Sequence, residues 1–270
     1  MVVRKDTPFS VLSIMVTVFF LFFSGCAKQK EAEEMNVDEL KQHALTAMNN
    51  QRHDAAIEYL DKIIAKHPDH DDIGNFKLLL GDAYFKTGDY PAANKLYEHF
   101  TQYYPSDAKA EYAKYRSILA QFYHTLRTDC DQSVTKDVIT ACNDYLTQTR
   151  YQEYRKDVLD IQNTSEHKLI NKEVYVYNFY LKQGDLSPLP EEREKCYRAA
   201  RGRLANLQKM YGDKNESLKP RLLYLECKLA QRENKESAIQ DSLEKLLNEH
   251  PQSQFTRMAQ ALVTKKDFSF

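Results

Sequence analysis

Tryptophan is absent from this chain of 270 residues, and glycine and proline are scarce, with seven and eight residues. So few glycines and prolines leave little room for the many tight turns of an all-β fold. They also leave no place for a glycine-rich phosphate loop, and the motifs G-x-S-x-G and H-E-x-x-H do not occur. These absences predict an all-α, non-enzymatic protein with no catalytic residue and no cofactor.

An excess of charge of either sign is also lacking. Lysine and arginine total 38 against 39 acidic residues, which gives a net charge of −1. Nucleic-acid-binding domains carry a basic face that neutralises phosphates. The composition therefore predicts no nucleic-acid partner.

The N-terminus differs from the rest of the chain. Arg4 and Lys5 precede an uncharged run over residues 7–27, and small residues follow at Ser24-Gly25. This order is typical of a bacterial secretory signal, so we predict a signal peptide over 1–25. An uncleaved membrane anchor is the alternative, because the uncharged run is nearly long enough to span a bilayer.

The segment Phe23-Ser24-Gly25-Cys26 resembles the lipobox of bacterial lipoproteins. The resemblance implies cleavage between Gly25 and Cys26 and acylation (palmitate) of Cys26, and Ala27 resembles lipoproteins sent to the outer membrane. Residues 26–36 then form the lipidated N-terminus and a charged tether.

The segment from Gly81 to Pro105 predicts two helices folded back on each other. Gly88 can end the first helix at positive φ, and Asp89 can cap the second, with Pro91 in its first turn. The pattern resembles a tetratricopeptide repeat. It recurs 37 residues earlier in the same size classes, and the predicted repeat-packing positions are Ala44, Ala56, Pro68, Gly81, Tyr84, Ala93, Tyr97 and Pro105.

Helical periodicity continues to the C-terminal region. We expect a superhelical solenoid over 37–270, with helix pairs at about 37–68, 73–105, 108–151, 165–212 and 218–251 and a capping helix at 254–263. A separate helix over Arg150 to Ile161 precedes a longer one over His167 to Gln183. Gly184-Asp185 is expected to repeat the Gly88-Asp89 turn, and an insertion, Leu186 to Glu194, is expected to delay the next helix.

First helices of such pairs line a surface suited to peptides. Periodicity places these candidate peptide-facing residues there: Lys41, Leu45, Met48, Asn75, Leu78, Asp82 and Phe85. Packing against the neighbouring repeat is the equal alternative for several of them.

Two further groups have simple structural interpretations. The loop from His67 to Asp72 is rich in histidine and carboxylates, but we expect no metal there and a capping role for its aspartates. For the cysteines beyond Cys26 we predict unpaired buried thiols, and a disulfide between Cys130 and Cys142 is the alternative.

The chain resembles the BamD (YfiO/ComL) family of outer-membrane assembly lipoproteins. Three features carry the resemblance: the lipobox, the order of the helix pairs and the long helix that ends at Tyr177–Gly184. This resemblance implies a lipid-anchored scaffold on the periplasmic face of the cell outer membrane. Its implied partners are a BamA-like barrel-forming subunit, other assembly lipoproteins of the Bam complex, and unfolded outer-membrane proteins.

A periplasmic repeat adaptor for cell-envelope or cell-division complexes is the alternative. An enzyme such as a peptidoglycan hydrolase would need a separate catalytic domain.

Overall fold

The computed structural model describes residues 35–125, 130–212 and 215–264. Within these ranges the protein has eleven α-helices and no β-strand, so it is all-α as predicted. A π-helical turn (Gln208–Gly212) and a 3-10 turn (Glu216–Leu218) precede the helix that begins at Lys219. The helices are α1 Val37–Asn49, α2 His53–Lys66, α3 Ile73–Thr87, α4 Tyr90–Tyr103, α5 Ala110–Tyr123, α6 Ser133–Thr147, α7 Arg155–Leu186, α8 Pro190–Leu207, α9 Lys219–Arg232, α10 Glu236–Glu249 and α11 Gln254–Thr264.

The chain divides into two compact units. As far as they are described, the first contains residues 35–124 and 145–155, and the second contains residues 125, 130–144, 156–212 and 215–264. In each unit, amphipathic helices bury one apolar stripe against their neighbours, which is the packing of tetratricopeptide-repeat-like pairs.

The first unit begins with a capping box at Asn36. The Asn36 side chain accepts a hydrogen bond from the Glu39 backbone N–H, and the Glu39 carboxylate accepts one from the Asn36 N–H, each at 3.0 Å. This reciprocal pair satisfies two backbone donors at the start of α1. The helix then packs on α2 and α3 through a core of Leu40, Ala44, Leu60, Ile63, Phe76 and Leu80.

The turn between α3 and α4 is the one that the sequence predicts. Gly88 ends α3 in the left-handed conformation, with φ of 87°. The Asp89 side chain accepts a hydrogen bond from the Ala92 N–H at 3.1 Å, and Pro91 lies in the first turn of α4. Glycine at this C-cap and aspartate at the following N-cap therefore reverse the chain as expected.

The second unit corrects the sequence analysis at α7. Residues 155–186 form one continuous helix, so the predicted separate helix over Arg150 to Ile161 is wrong. Gly184 and Asp185 lie inside this helix rather than in a turn, and Gly184 is buried. Glycine is needed at this position because the Tyr197 ring occupies the space that a side chain would fill.

The expected insertion from Leu186 to Glu194 is also wrong. The α8 helix begins at Pro190, whose missing N–H costs nothing in a first turn, so only residues 187–189 join it to α7. A core shared by α7, α8 and α9 follows from this short connection, and it contains Ile170, Val174, Tyr177, Leu181, Tyr197, Ala200, Leu204, Leu207, Leu222 and Leu225. The last helices, α10 and α11, pack on α9 around Cys227, Ala230, Ile239, Leu246 and Ala259.

Candidate protein-interaction surface

The predicted first-helix residues of α1 remain partly exposed. Lys41 Nζ lies 3.4 Å from Asp72 Oδ2 and 5.7 Å from the centre of the Phe76 ring. Leu45 is half-buried, and Met48 packs beside the buried alanines of α1, α2 and α3. These side chains therefore combine helix packing with partial access to solvent.

A polar strip links the starts of the first helices. It consists of Lys41, Asp72, Asn75 and Lys109. The Asn75 side chain donates to Asp72 Oδ1 at 3.4 Å, and Asn75 Oδ1 accepts from Lys109 Nζ at 2.8 Å. The Asp72 carboxylate makes no capping bond to α3, contrary to the capping role expected for this loop, because Lys41 and Asn75 occupy its oxygens. These hydrogen bonds lower the pKa of Asp72.

Leu78 is not available to a peptide in this structure. Its side chain is 5% exposed and packs with Ala93, Tyr97 and Phe100. The packing alternative therefore holds for Leu78. Ala44, Ala56, Gly81, Ala93 and Tyr97 are likewise buried, Tyr84 is half-buried, and Pro68 and Pro105 are exposed.

Asp82 is the centre of a hydrogen-bonded cluster between the second and third helix pairs. Its Oδ1 accepts hydrogen bonds from the Tyr97 and Tyr112 hydroxyls, each at 2.7 Å, and lies 3.5 Å from Arg116 Nε. Gly81 permits this approach, since a Cβ there would lie 3.0 Å from Tyr97 Cε1. Burial, and then the charge of Asp82, raises the pKa of both tyrosines, so both hydroxyls stay protonated as donors. We name Gly81, Asp82, Tyr97 and Arg116 the Asp82 clasp.

Phe85 extends the clasp into an aromatic cluster. The Arg116 guanidinium carbon lies 3.8 Å from the centre of the Phe85 ring, which is a cation–π contact. Tyr90 and Tyr123 stack on each other at 5.4 Å, and both meet Phe85 edge to face. Tyr123 is 54% exposed, so this cluster offers an aromatic face to solvent.

The second unit repeats the clasp. The Tyr197 hydroxyl donates to Asp185 Oδ1 at 2.9 Å, and Arg232 Nε lies 3.3 Å from Asp185 Oδ2. Burial and this hydrogen bond raise the pKa of Tyr197 to about 12. Gly184-Asp185 is thus the counterpart of Gly81-Asp82, and not of Gly88-Asp89 as expected from the sequence. We name Gly184, Asp185, Tyr197 and Arg232 the Asp185 clasp.

Sequence reasoning missed the two arginines of these clasps and Tyr112. Each of them comes from a later helix than the Gly-Asp pair, at a different distance along the chain, so no fixed spacing signals them. A Gly-Asp pair inside an apolar helical stripe, followed by a tyrosine in the next helix, is the signal that does recur.

A second group of exposed apolar residues lies on and after α7. Tyr175, Phe179 and Leu186 are each about half or more exposed, and Leu189 follows in the connection to α8.

Cys142 and Cys227 are buried as predicted, whereas Cys130 is exposed.

Two further observations concern membrane spans and metal sites in the described residues. In the ranges that the structure covers, no helix is long and apolar enough to cross a membrane. Over the same residues, no group of three or more histidines, cysteines and carboxylates has a metal-binding arrangement. The predicted signal peptide and the lipidation at Cys26 fall outside the described residues.

Comparisons with known proteins found a matching family and a similar sequence. A family model described as "YfiO: Outer membrane lipoprotein" matches residues 33–226 of the chain. The chain is also similar to the outer membrane protein assembly factor BamD of Caulobacter vibrioides, with 23% identity over 177 residues. That alignment covers 65% of this chain and 58% of the relative, so the chain spans less than two thirds of the relative's length.

Proposed function

This chain belongs to the YfiO family of outer membrane lipoproteins, and from that premise we propose that it is a non-enzymatic scaffold for outer-membrane protein assembly. The observation that carries the proposal is the family match over residues 33–226, which includes α1 to α8 and part of α9. The printed role of the Caulobacter relative, an outer membrane protein assembly factor, supports it.

The helix pairs suit a docking role. Stacked pairs expose one face of each first helix, and such faces bind extended or helical segments of other proteins. The polar strip and the exposed aromatic cluster around Phe85 provide charged and apolar contacts on one unit. In the proposed division of labour, the N-terminal pairs receive unfolded outer-membrane proteins and the C-terminal pairs dock on the barrel-forming BamA-like subunit.

Anchoring through Cys26 places this scaffold at the periplasmic face of the outer membrane. Acylation with two or three chains would hold a water-soluble helical body at the lipid surface stably, which one chain does not.

Affinity purification of the mature protein from detergent-solubilised envelopes tests the proposal. We expect mass spectrometry to identify a large β-barrel subunit with periplasmic repeat domains among the bound chains. A variant truncated from Lys219 onward should lose that subunit, while circular dichroism checks that its remaining helices persist. Recovery of cell-division or peptidoglycan proteins without the barrel subunit would contradict the assembly role and favour the envelope adaptor.

A further inference from the structure

The exposed apolar residues of α7 lie on one line along the helix. Tyr175 and Phe179 are each about half exposed and Leu186 is more so, and their spacing brings all three to the same face. The residues that this half of the helix buries lie on the opposite face, at Ile170, Val174, Tyr177 and Leu181. The second half of α7 therefore has two apolar faces, and the described core of its unit covers one of them.

The exposed line is a continuation of the face that α7 buries in its first half. Ile161 and Ser165 lie on this line and are buried, and the neighbouring Gln162 donates a hydrogen bond to Asn143 of α6 at 2.7 Å. Farther along α7, Lys172 lines a cavity together with residues at the start of α6. The α6 helix thus runs antiparallel beside the first half of α7 and reaches its own start near Lys172, before the exposed residues begin.

The positions on this line follow the spacing of a coiled-coil seam. A seam residue recurs about every 3.5 residues along a helix that packs lengthwise on another helix. In α7 the spacing alternates between four and three residues along Ile161, Ser165, Lys168, Lys172, Tyr175, Phe179, Lys182 and Leu186. We name the last five of these residues, from Lys172 to Leu186, the α7 seam. Its regular spacing favours a helix as the occupant, because a lipid surface or an extended chain requires no such register.

The charge of the α7 seam has one sign. Lys172 is half-buried with its Nζ 5.7 Å from the centre of the Tyr175 ring, and Lys182 is exposed. The two acidic residues in this half of α7, Glu173 and Asp185, lie off the seam, and each forms an ion pair with an arginine of another helix. The seam therefore attracts carboxylates and repels cations on a helix that packs along it.

We propose that the α7 seam binds an acidic amphipathic helix of a partner protein. Apolar residues of that helix pack on Tyr175, Phe179 and Leu186, and its flanking carboxylates pair with Lys172 and Lys182. At about 1.5 Å per residue the seam is about 21 Å long, which matches a partner helix of about four turns. The inference rests on the proposed scaffold role only for the source of the helix, which is a protein that this chain binds.

Fluorescence-anisotropy titration of the mature protein with a labelled helical peptide tests the proposal. The peptide repeats the heptad Glu-Leu-Ala-Ala-Leu-Glu-Gln, and the matched probe has lysine in place of every glutamate. We expect the acidic peptide to bind at least about tenfold more tightly than the basic one. Phe179→Ala should weaken the acidic peptide about tenfold, and Lys182→Glu should weaken it while strengthening the basic peptide.

Two control substitutions match these changes at sites away from the seam. Met258→Ala removes a 45% exposed apolar side chain from α11, and Lys86→Glu reverses an exposed charge on α3. Both controls should bind the acidic peptide as the wild type does. Equal binding of the two peptides, equal weakening by the seam and control substitutions, or no binding to the wild type would overturn the proposal.

Photo-crosslinking in cells identifies the natural occupant of the seam. A photoreactive amino acid replaces Phe179, and the same amino acid at Met258 is the control. We expect mass spectrometry of the position-179 adduct to show a partner segment with apolar residues at helical spacing and flanking acidic residues. Adducts only to lipid, to a second copy of this chain or to a segment without that pattern would overturn the proposal. Failure of the peptide titration leaves the recovery of the barrel subunit from envelopes unaffected, and the reverse also holds, so the seam and the scaffold role fail separately.

Discussion

At the scale of single residues, Gly184 and Gly202 make opposite predictions for the same substitution. A Cβ on Gly184 would overlap the buried Tyr197 ring and lie 2.8 Å from its Cδ1, whereas a Cβ on Gly202 meets nothing within 4 Å. Gly184→Ala should destabilise the protein by roughly 1–3 kcal/mol through overpacking. Gly202→Ala should stabilise the protein by about 0.5–1 kcal/mol, because alanine has a higher helix propensity than glycine at an exposed position inside a helix.

Urea unfolding of the two alanine variants measures this difference. The two sites lie in α7 and α8 of the same unit, so Gly202→Ala is the matched control for the chemistry of the change. Equal shifts of the unfolding midpoint in both variants would contradict the close approach of Tyr197 to Gly184.

Glu226 makes a prediction about pH. Because burial raises its folded-state pKa above the ordinary value of 4.5, the folded protein resists ionisation of this carboxyl. The stability associated with the neutral form is fully present below about pH 4.5 and is lost as the pH rises through the folded-state pKa. Glu226→Gln should therefore gain stability relative to the wild type as the pH increases.

The free energies of unfolding of wild type and Glu226→Gln, compared from pH 4 to pH 8, check this sign. The difference between the two proteins isolates Glu226 from the other titrating groups. Glu244→Gln serves as the exposed control, and a wild-type advantage that grows with pH would contradict the account.

At the scale of helices, the two clasps hold neighbouring elements together with different strength. Asp82 accepts from the hydroxyls of the buried Tyr97 and the half-buried Tyr112, and its side chain is 21% exposed. Asp185 accepts from the Tyr197 hydroxyl and is 39% exposed. Removing an acceptor leaves its buried donors unsatisfied, at about 1–3 kcal/mol. Asp82→Ala should therefore destabilise the protein more than Asp185→Ala does.

Chemical unfolding of Asp82→Ala and Asp185→Ala provides the comparison. Tyr97→Phe in each background tests the mechanism. Its effect should shrink once Asp82 is absent, when only the hydrogen bonds that the Tyr97 hydroxyl accepts from Arg116 remain, and should persist in full in Asp185→Ala. Additive effects of Tyr97→Phe and Asp82→Ala would show that the hydroxyl and the carboxylate are not coupled.

Helix pairing was more predictable than the contacts between pairs. The periodicity over residues 81–105, with Gly88 and Asp89 at the turn, follows from local chemistry, and the structure confirms it. The sequence predicts a turn at Gly184-Asp185, but the same dipeptide can either end a helix or leave room for an aromatic ring inside one. Only the position of Tyr197, which comes from another helix, decides between these outcomes.

The candidate interaction surface shows the same limit. Periodicity selects one side of α3 but cannot separate Leu78, which is buried, from Asp82 and Phe85, which remain partly exposed. Arg116 joins Asp82 to Phe85 from the following pair, at a position that no local pattern indicates.

At the scale of the whole molecule, we predict that one cysteine, Cys26, carries the lipid. Metabolic labelling with an alkyne fatty acid should mark the wild type and also Cys130→Ala, because Cys130 is exposed but is not part of the lipobox sequence. Cys26→Ala should remain unlabelled and accumulate as the uncleaved precursor. Labelling of Cys26→Ala at the wild-type level would contradict the lipoprotein proposal.

Conditional depletion of this protein in its own host tests the scaffold role most directly, with folded outer-membrane β-barrel proteins quantified by their heat-modifiable migration. We predict that many different barrel proteins decline together as the protein is depleted. Wild-type protein should restore them, and a variant truncated from Lys219 onward should not. Unchanged barrel levels in depleted cells that show only division or cell-wall defects would contradict the central claim.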